Sequence, residues 1–226
     1  MVLLIVALGI LAALYGPQWW ARHTLLTYNR TDYFSGTGLE FARLLVERLG
    51  LEGVRVEEHP TSSHYDPEQR VVAMESRLAK RKTLSAVVVA AHEVGHAQQH
   101  AQGFPAFEAR GRLVRLGAQV EKLGYLAFIV LPLAAVLLRI PAVGAIMLFF
   151  AGGVLIMPVC IHLLTLPVEM DASFNRALPI LRSGPYIPDD DFPAARQILT
   201  ACSLTYVAAA LAGFLNVWRW LRFLRR

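Results

Sequence analysis

Apolar residues in this chain fall into four long blocks: Val2 to Trp20, Leu123 to Leu138, Ile140 to Val168 and Ile198 to Trp218. None of them contains Asp, Glu, Lys or Arg, and each meets or approaches the length a helix needs to cross a hydrocarbon layer. The second block is short and is followed by Arg139 and Pro141, so it reads with the third as a helical hairpin closed by a tight turn. Trp19, Trp20, Trp218 and Trp220 sit at block ends, where interfacial aromatics belong. The first block has no basic residues before it, and Gly16-Pro17-Gln18-Trp19-Trp20 is a poor processing site, so it reads as an uncleaved anchor.

The polar stretch from Ala21 to Glu121 has a different rhythm. Leu39, Phe41, Ala42, Leu44, Leu45 and Leu49 recur at helical spacing, with Thr37 or Ser35 as the cap and Gly50 as the stop. Val54 to Glu57 alternates as a strand does. Ser63-His64-Tyr65-Asp66-Pro67 reads as a turn leading into a second β-like stretch, Arg70 to Met74, so a small ββ element is expected. The next helix starts near Leu84 and is almost wholly apolar to Ala91; a helix apolar all round is buried on every side.

Composition fits membrane blocks. The 226 residues are 55% hydrophobic with a net charge of +5, and the mean hydropathy is +0.44. In a soluble protein that charge would suggest nucleic acid. Here the basic residues flank apolar blocks, where they meet anionic headgroups, and no nucleic-acid partner is expected. Arg139, Arg219, Arg222, Arg225 and Arg226 pull one side of the bilayer inward, while Arg22, Arg30, Arg110, Arg112, Arg115, Lys122, Arg176, Arg182 and Arg196 pull the other way. The expected sidedness places the polar domain in the cytoplasm. Cys160 and Cys202 lack CxxC spacing and read as small buried residues.

The chemistry centres on His92-Glu93-Val94-Gly95-His96. Two imidazoles four residues apart on a helix face the same way and can grip one metal ion, and Glu93 is placed as general base to a metal-bound water. A catalytic zinc needs a third protein ligand and an open position. The residue six beyond His96 is Gln102, not histidine, and His100 lies a turn too far along. Glu169, a carboxylate at the end of an apolar block, is the better candidate. Asp171 competes, but two residues along a helix is about 200°, so both cannot face one ion within a helix. Glu169 is assigned to zinc and Asp171 to a supporting place behind it, holding a ligand imidazole or the following helix. The competing reading makes Glu169 an interfacial carboxylate paired with Arg176.

The chain resembles the bacterial membrane neutral zinc metallopeptidases of the YugP-like family. The resemblance runs over nearly its whole length: the first block, the Ser35 to Gly38 turn, His64 to Pro67, Ala90 to Ala97, Leu166 to Ser173, Arg176-Ala177 and Leu204 to Ala210. It implies a gluzincin-type site with Glu169 as third ligand, distantly similar to that of HtpX-like membrane proteases, in a bacterial inner membrane. Departures are Ser63 where an acidic residue is usual, Met170 where Phe is common, and Ser173 where gluzincins carry Asp.

The expected fold is mainly α: a multi-pass helical membrane protein with a zincin-like polar domain that contains a small β element. Its expected divisions are a transmembrane anchor (1–20), a zincin-like domain (21–122), a transmembrane hairpin (123–168), a polar segment with the third ligand (169–197) and a last transmembrane helix with a basic tail (198–226). The expected activity is zinc-dependent endopeptidase, with one Zn2+ per chain on His92, His96 and Glu169, and Glu93 as base. His64 and Tyr65 are candidate oxyanion donors, against a packing role for both. The expected substrate is unfolded or membrane polypeptide, added as a strand to the edge formed by Val71 to Met74. His162, on the Glu169 face, either lines the cavity or bonds a backbone carbonyl. Non-catalytic zinc scaffolds, transporters and intramembrane proteases are the alternatives. The first lacks cysteine ligands, the second lacks ionisable residues in the spans other than His162, and the third would need the motif within a long span.

Overall fold

The computed structural model describes residues 2–30, 32, 34–138 and 142–204. The hairpin turn at 139–141 and the remainder of the last apolar block, with Trp218, Trp220, the motif over 205–210 and the basic tail, lie outside the described residues. The fold is mainly helical with one three-stranded sheet. Helix α1 (Val2–Thr27) leads into α2 (Gly38–Arg48), then β1 (Arg55–His59), β2 (His64–Asp66), β3 (Val71–Glu75), the short α3 (Ser76–Ala79) and α4 (Leu84–Ala101). Two long helices follow, α5 (Pro105–Leu138) and α6 (Ala142–Met170). A π-helical stretch (Asp171–Ala177) continues α6 into α7 (Leu178–Arg182). A 3-10 turn (Asp189–Asp191) precedes α8, over 192–204.

Local chemistry explains these boundaries. Thr37 and Glu40 form a reciprocal capping box that opens α2, an arrangement worth about 1 kcal/mol. Gly50 follows the end of α2 at φ +61°, a left-handed position natural to glycine. Asp66 Oδ1 accepts from the Glu68 and Gln69 amides at 2.8 and 3.0 Å, which closes the turn between β2 and β3.

Two expectations for the β element change. His64–Asp66, read as part of a turn, is itself a strand, because its backbone pairs antiparallel with Val71–Ala73. The sheet order is β1-β3-β2, with β1 parallel to β3. Val71 to Ala73 is therefore the centre of the sheet, paired on both sides, with Met74 paired to β1, so this strand is no edge for a substrate. The unpaired edges belong to β1 and β2.

Helix α4 is the axis of the core, buried from Leu84 through Ala97. Its small side chains let neighbours close in: Phe41, Ala42 and Leu45 of α2, Val72 and Met74 of β3, Leu178 and Leu181 of α7, and Ile198 and Leu199 of α8. Full burial of each large member contributes about 1.5–3 kcal/mol. Glycines set two close approaches around α4. A Cβ at Gly38 would meet Leu78 O at 2.8 Å, and one at Gly95 would meet Ala172 O at 2.9 Å. The polar N-terminus of α4 is tied to the end of α1, where Ser85 Oγ donates to Leu25 O at 2.8 Å and Thr83 Oγ1 to Asn29 Oδ1 at 2.6 Å.

Helices α5 and α6 lie side by side, with Gly117 against Met157 and Ile161 and Gly124 against Val154. The pair exposes Leu123, Leu126, Ile129, Leu133, Phe149, Ile156 and Leu163 on its outer surface. Among the described residues, 105–133 and 143–182 contain helix long and apolar enough to cross a membrane. Cys160, expected to be buried, is exposed on α6; the hairpin is too thin to enclose both faces of its helices.

Candidate metal centre

Helix α4 brings His92 and His96 onto one face, with ring centroids 4.7 Å apart and the rings nearly perpendicular. Glu169 arrives from the end of α6. Its Oε2 lies 3.2 Å from His92 Nε2 and 3.4 Å from His96 Nε2. Tetrahedral zinc with bonds of about 2.0–2.1 Å holds its ligand atoms about 3.3 Å from one another, so this spacing suits a shared ion. The three ligand atoms fall within 4.8 Å of one another, and theirs is the metal-competent cluster among the described residues. All three side chains are buried.

What stands behind the imidazoles fixes their outlook. His96 Nδ1 donates to Gln99 Oε1 at 2.9 Å, and Gln99 Nε2 donates to Val168 O and to Asp171 Oδ2, each at 2.8 Å. His92 Nδ1 lies 3.1 Å from Ser173 Oγ, which donates to Leu199 O at 3.2 Å. With each Nδ1 bonded as a donor, the neutral form of each ring keeps its Nε2 lone pair free on the Glu169 side, as metal ligation requires. Asp171 thus meets His96 through Gln99, while Arg176 Nε donates to Asp171 Oδ2 at 2.6 Å. Arg176 is committed to Asp171 and Gln102, not to Glu169.

Sequence reading missed Gln99 and Ser173 as the groups that orient the imidazoles. A signal for Gln99 existed: it sits three residues after His96 on the helix, within side-chain reach. Ser173 depends on the tertiary approach of the π stretch, which Gly95 permits.

Glu93 faces a cavity of about 220 Å³ whose wall also includes His64, Tyr65, His92, His96, Arg110 and Glu169. Burial pushes the Glu93 carboxyl above its ordinary range, against the pull of His92 and His96. Burial draws His96 down, but the charge and hydrogen bond of Glu169 outweigh it and hold the imidazole above its usual value.

The other expected residues are placed as follows. His64 lies on β2 at the cavity wall, its Nδ1 3.2 Å from Ser62 Oγ and its ring edge-on to His59. The Tyr65 hydroxyl is 2.8 Å from His100 Nδ1, and Phe107 lies against both rings. Burial raises the Tyr65 phenol, which keeps it protonated. His100 stands outside the metal-competent cluster. His162 does not line this cavity, and its buried Nδ1 has no hydrogen-bond partner.

Comparisons with known proteins agree with this geometry. A family model described as "putative neutral zinc metallopeptidase" matches residues 1–225. The chain is 32% identical over 217 residues to the "Putative membrane protease YugP" of Bacillus subtilis (strain 168), covering 92% of this chain and 91% of that protein. No solved structure matches. The match over almost every residue shows that the chain belongs to the family described as "putative neutral zinc metallopeptidase".

Proposed function

We propose that this chain is a membrane-bound zinc endopeptidase in which His92, His96 and Glu169 hold one Zn2+ and Glu93 is the general base. The observation that carries the reading is the Nε2–Oε2 spacing of 3.2 and 3.4 Å, with both imidazoles oriented from behind and a cavity open in front. Bound there, zinc supplies an acidified water and an electrophile for the peptide carbonyl.

The chain's own groups do the rest. Glu93 takes the proton of the attacking water and returns it to the leaving amine. Burial keeps competing solvent away from that carboxylate. Tyr65, protonated and held by His100, and His64 beside it offer donors to the oxygen that gains charge as the carbonyl is attacked. An extended substrate lies along the free edge of β2, the strand that brings both donors to the cavity. A second cavity of about 390 Å³ shares Leu25, Glu75 and Leu78 with the first, so the cleft continues past the end of α1. That length suits unfolded polypeptide or the loops and termini of membrane proteins.

The membrane placement has the same status. Helix α1, the α5–α6 hairpin and the apolar block from 198 onward are read as spans of a bacterial inner-membrane protein. Its divisions are an anchor (1–20), the polar domain (21–122), the hairpin (123–168), the segment with the third ligand (169–197) and the last span with its basic tail (198–226). Arg22, Arg30, Arg112, Arg115 and Lys122, near span ends on the side of the polar domain, favour a cytoplasmic site.

Glu93→Gln tests the catalytic assignment. The variant is expected to retain about one equivalent of zinc while cleavage of a casein-like substrate falls about 10²–10⁴-fold. Retained turnover would remove Glu93 from the mechanism, and lost zinc would return the motif to a structural role.

A further inference from the structure

We propose that Arg110 is the carboxylate-recognition residue of the active-site cavity, selecting peptides that present either an acidic side chain or a C-terminal carboxylate there. The inference rests on the endopeptidase reading and names a substrate feature for the same site. Arg110 lies in the polar first part of α5 and lines the cavity that holds His92, Glu93, His96 and Glu169. Among the described residues it forms no ion pair, and its Nε is buried with no hydrogen-bond partner.

Of the carboxylates around the cavity, Glu93 lines it with Arg110 and is the proposed base, with no ion pair to Arg110, and the others are engaged elsewhere. Glu108 pairs with Arg112 at 3.7 Å, Glu75 with Arg77 at 3.7 Å, and Glu169 faces the two imidazoles. Other partly buried arginines have partners, as Arg176 has Asp171. A buried guanidinium nitrogen left unpaired is costly, and a water or a ligand carboxylate that settles the guanidinium would each relieve it.

The buried Nδ1 of His162, on α6 outside this cavity, also has no partner. Together these are the buried side-chain polar atoms left without partners among the described residues. A carboxylate offers two acceptor oxygens in the plane of a guanidinium fork, which a neutral amide does not. Arg112 and Arg115 are exposed, whereas Arg110 is half-buried and lines the cavity, so the exposed pair suits headgroups and Arg110 suits substrate.

The test measures binding, not turnover. Full-length, zinc-loaded Glu93→Gln protein in micelles is titrated with a fluorescein-labelled Ala/Leu/Ser nonapeptide in three forms: neutral and amidated, neutral with a free C-terminus, and amidated with a central Glu. At least one carboxylate form is expected to bind about 10-fold more tightly than the neutral form, a preference of the size one charge-assisted contact provides. Which form gains identifies chain end or side chain. Adding Arg110→Gln should bring the ratio close to one, while Arg110→Lys retains part of it; zinc content and Tm report that each variant is folded. A ratio near one with Arg110 intact overturns the inference without any variant, as does a preference that survives Arg110→Gln. Absence of hydrolysis of all three peptides by the Glu93 protein would instead count against the endopeptidase reading, leaving the binding result to stand by itself.

Discussion

Ser173 Oγ, four residues after Glu169, sits 3.1 Å from His92 Nδ1. The hydroxyl fixes the ring through a neutral bond and donates its own hydrogen bond to Leu199 O. Ser173→Ala is therefore expected to loosen His92 and lower zinc affinity about 10–100-fold. Chelator competition on the purified protein measures it. An unchanged affinity would show that packing alone orients the ring.

Gly95 and Gly38 separate site from scaffold. A methyl at Gly95 meets Ala172 O at 2.9 Å on the helix that carries Glu169, while one at Gly38 meets Leu78 O at 2.8 Å on the opposite side of α4. Both Ala variants should cost about 1–3 kcal/mol of stability through overpacking. Only Gly95→Ala should also weaken zinc binding. Thermal melts with metal titrations distinguish the two, and equal zinc affinity in both variants would refute the coupling.

Without metal, Glu169 holds the His96 imidazole above its ordinary value despite burial. A raised folded-state pKa stabilises the metal-free fold below the ordinary histidine value, about 6.5, and that stability is lost as pH rises through the raised value. Zinc requires the neutral ring, so metal and proton compete. The Tm difference between zinc-loaded and metal-free protein should widen as pH rises from about 6 to about 8. A pH-independent difference would show that Glu169 does not share a proton with His96.

Tyr65→Phe keeps the ring that packs on Phe107 and removes the hydroxyl held by His100. If that hydroxyl serves the transition state, kcat should fall about 10²–10³-fold with little change in KM. Steady-state kinetics on a quenched peptide decide this, and a rise in KM alone would assign Tyr65 to substrate packing.

The residues that could be read from the sequence were those whose chemistry is local. The buried helix carrying His92 and His96 announced itself by an apolar run without a polar face, and Glu169 by a carboxylate at the edge of an apolar block. Thr37 and Gly50 were visible as cap and stop. Strand β2 was not legible, because His64–Asp66 is held by its pairing with β3 and lies among turn residues. Nor was the continuity of helix from 142 to 182, since Pro158, Pro167 and Pro179 each suggest a break that tertiary packing overrides. Ser173 and Gln99 acquire their roles only when α6 is laid against α4.

The π stretch Asp171–Ala177 sets a phase. A π turn is an α-helix carrying an inserted residue, and each residue in a helix advances the following side chains by about 100°. Upstream of the insertion the helix must aim Glu169 at the imidazoles; downstream it must turn Leu178 and Leu181 into the core. A regular α-helix over the same residues would satisfy one aim and turn the other away by more than a quarter revolution. The extra residue thus lets a single rod answer to two separate angular demands, and its deletion would force the chain to choose between ligand and core.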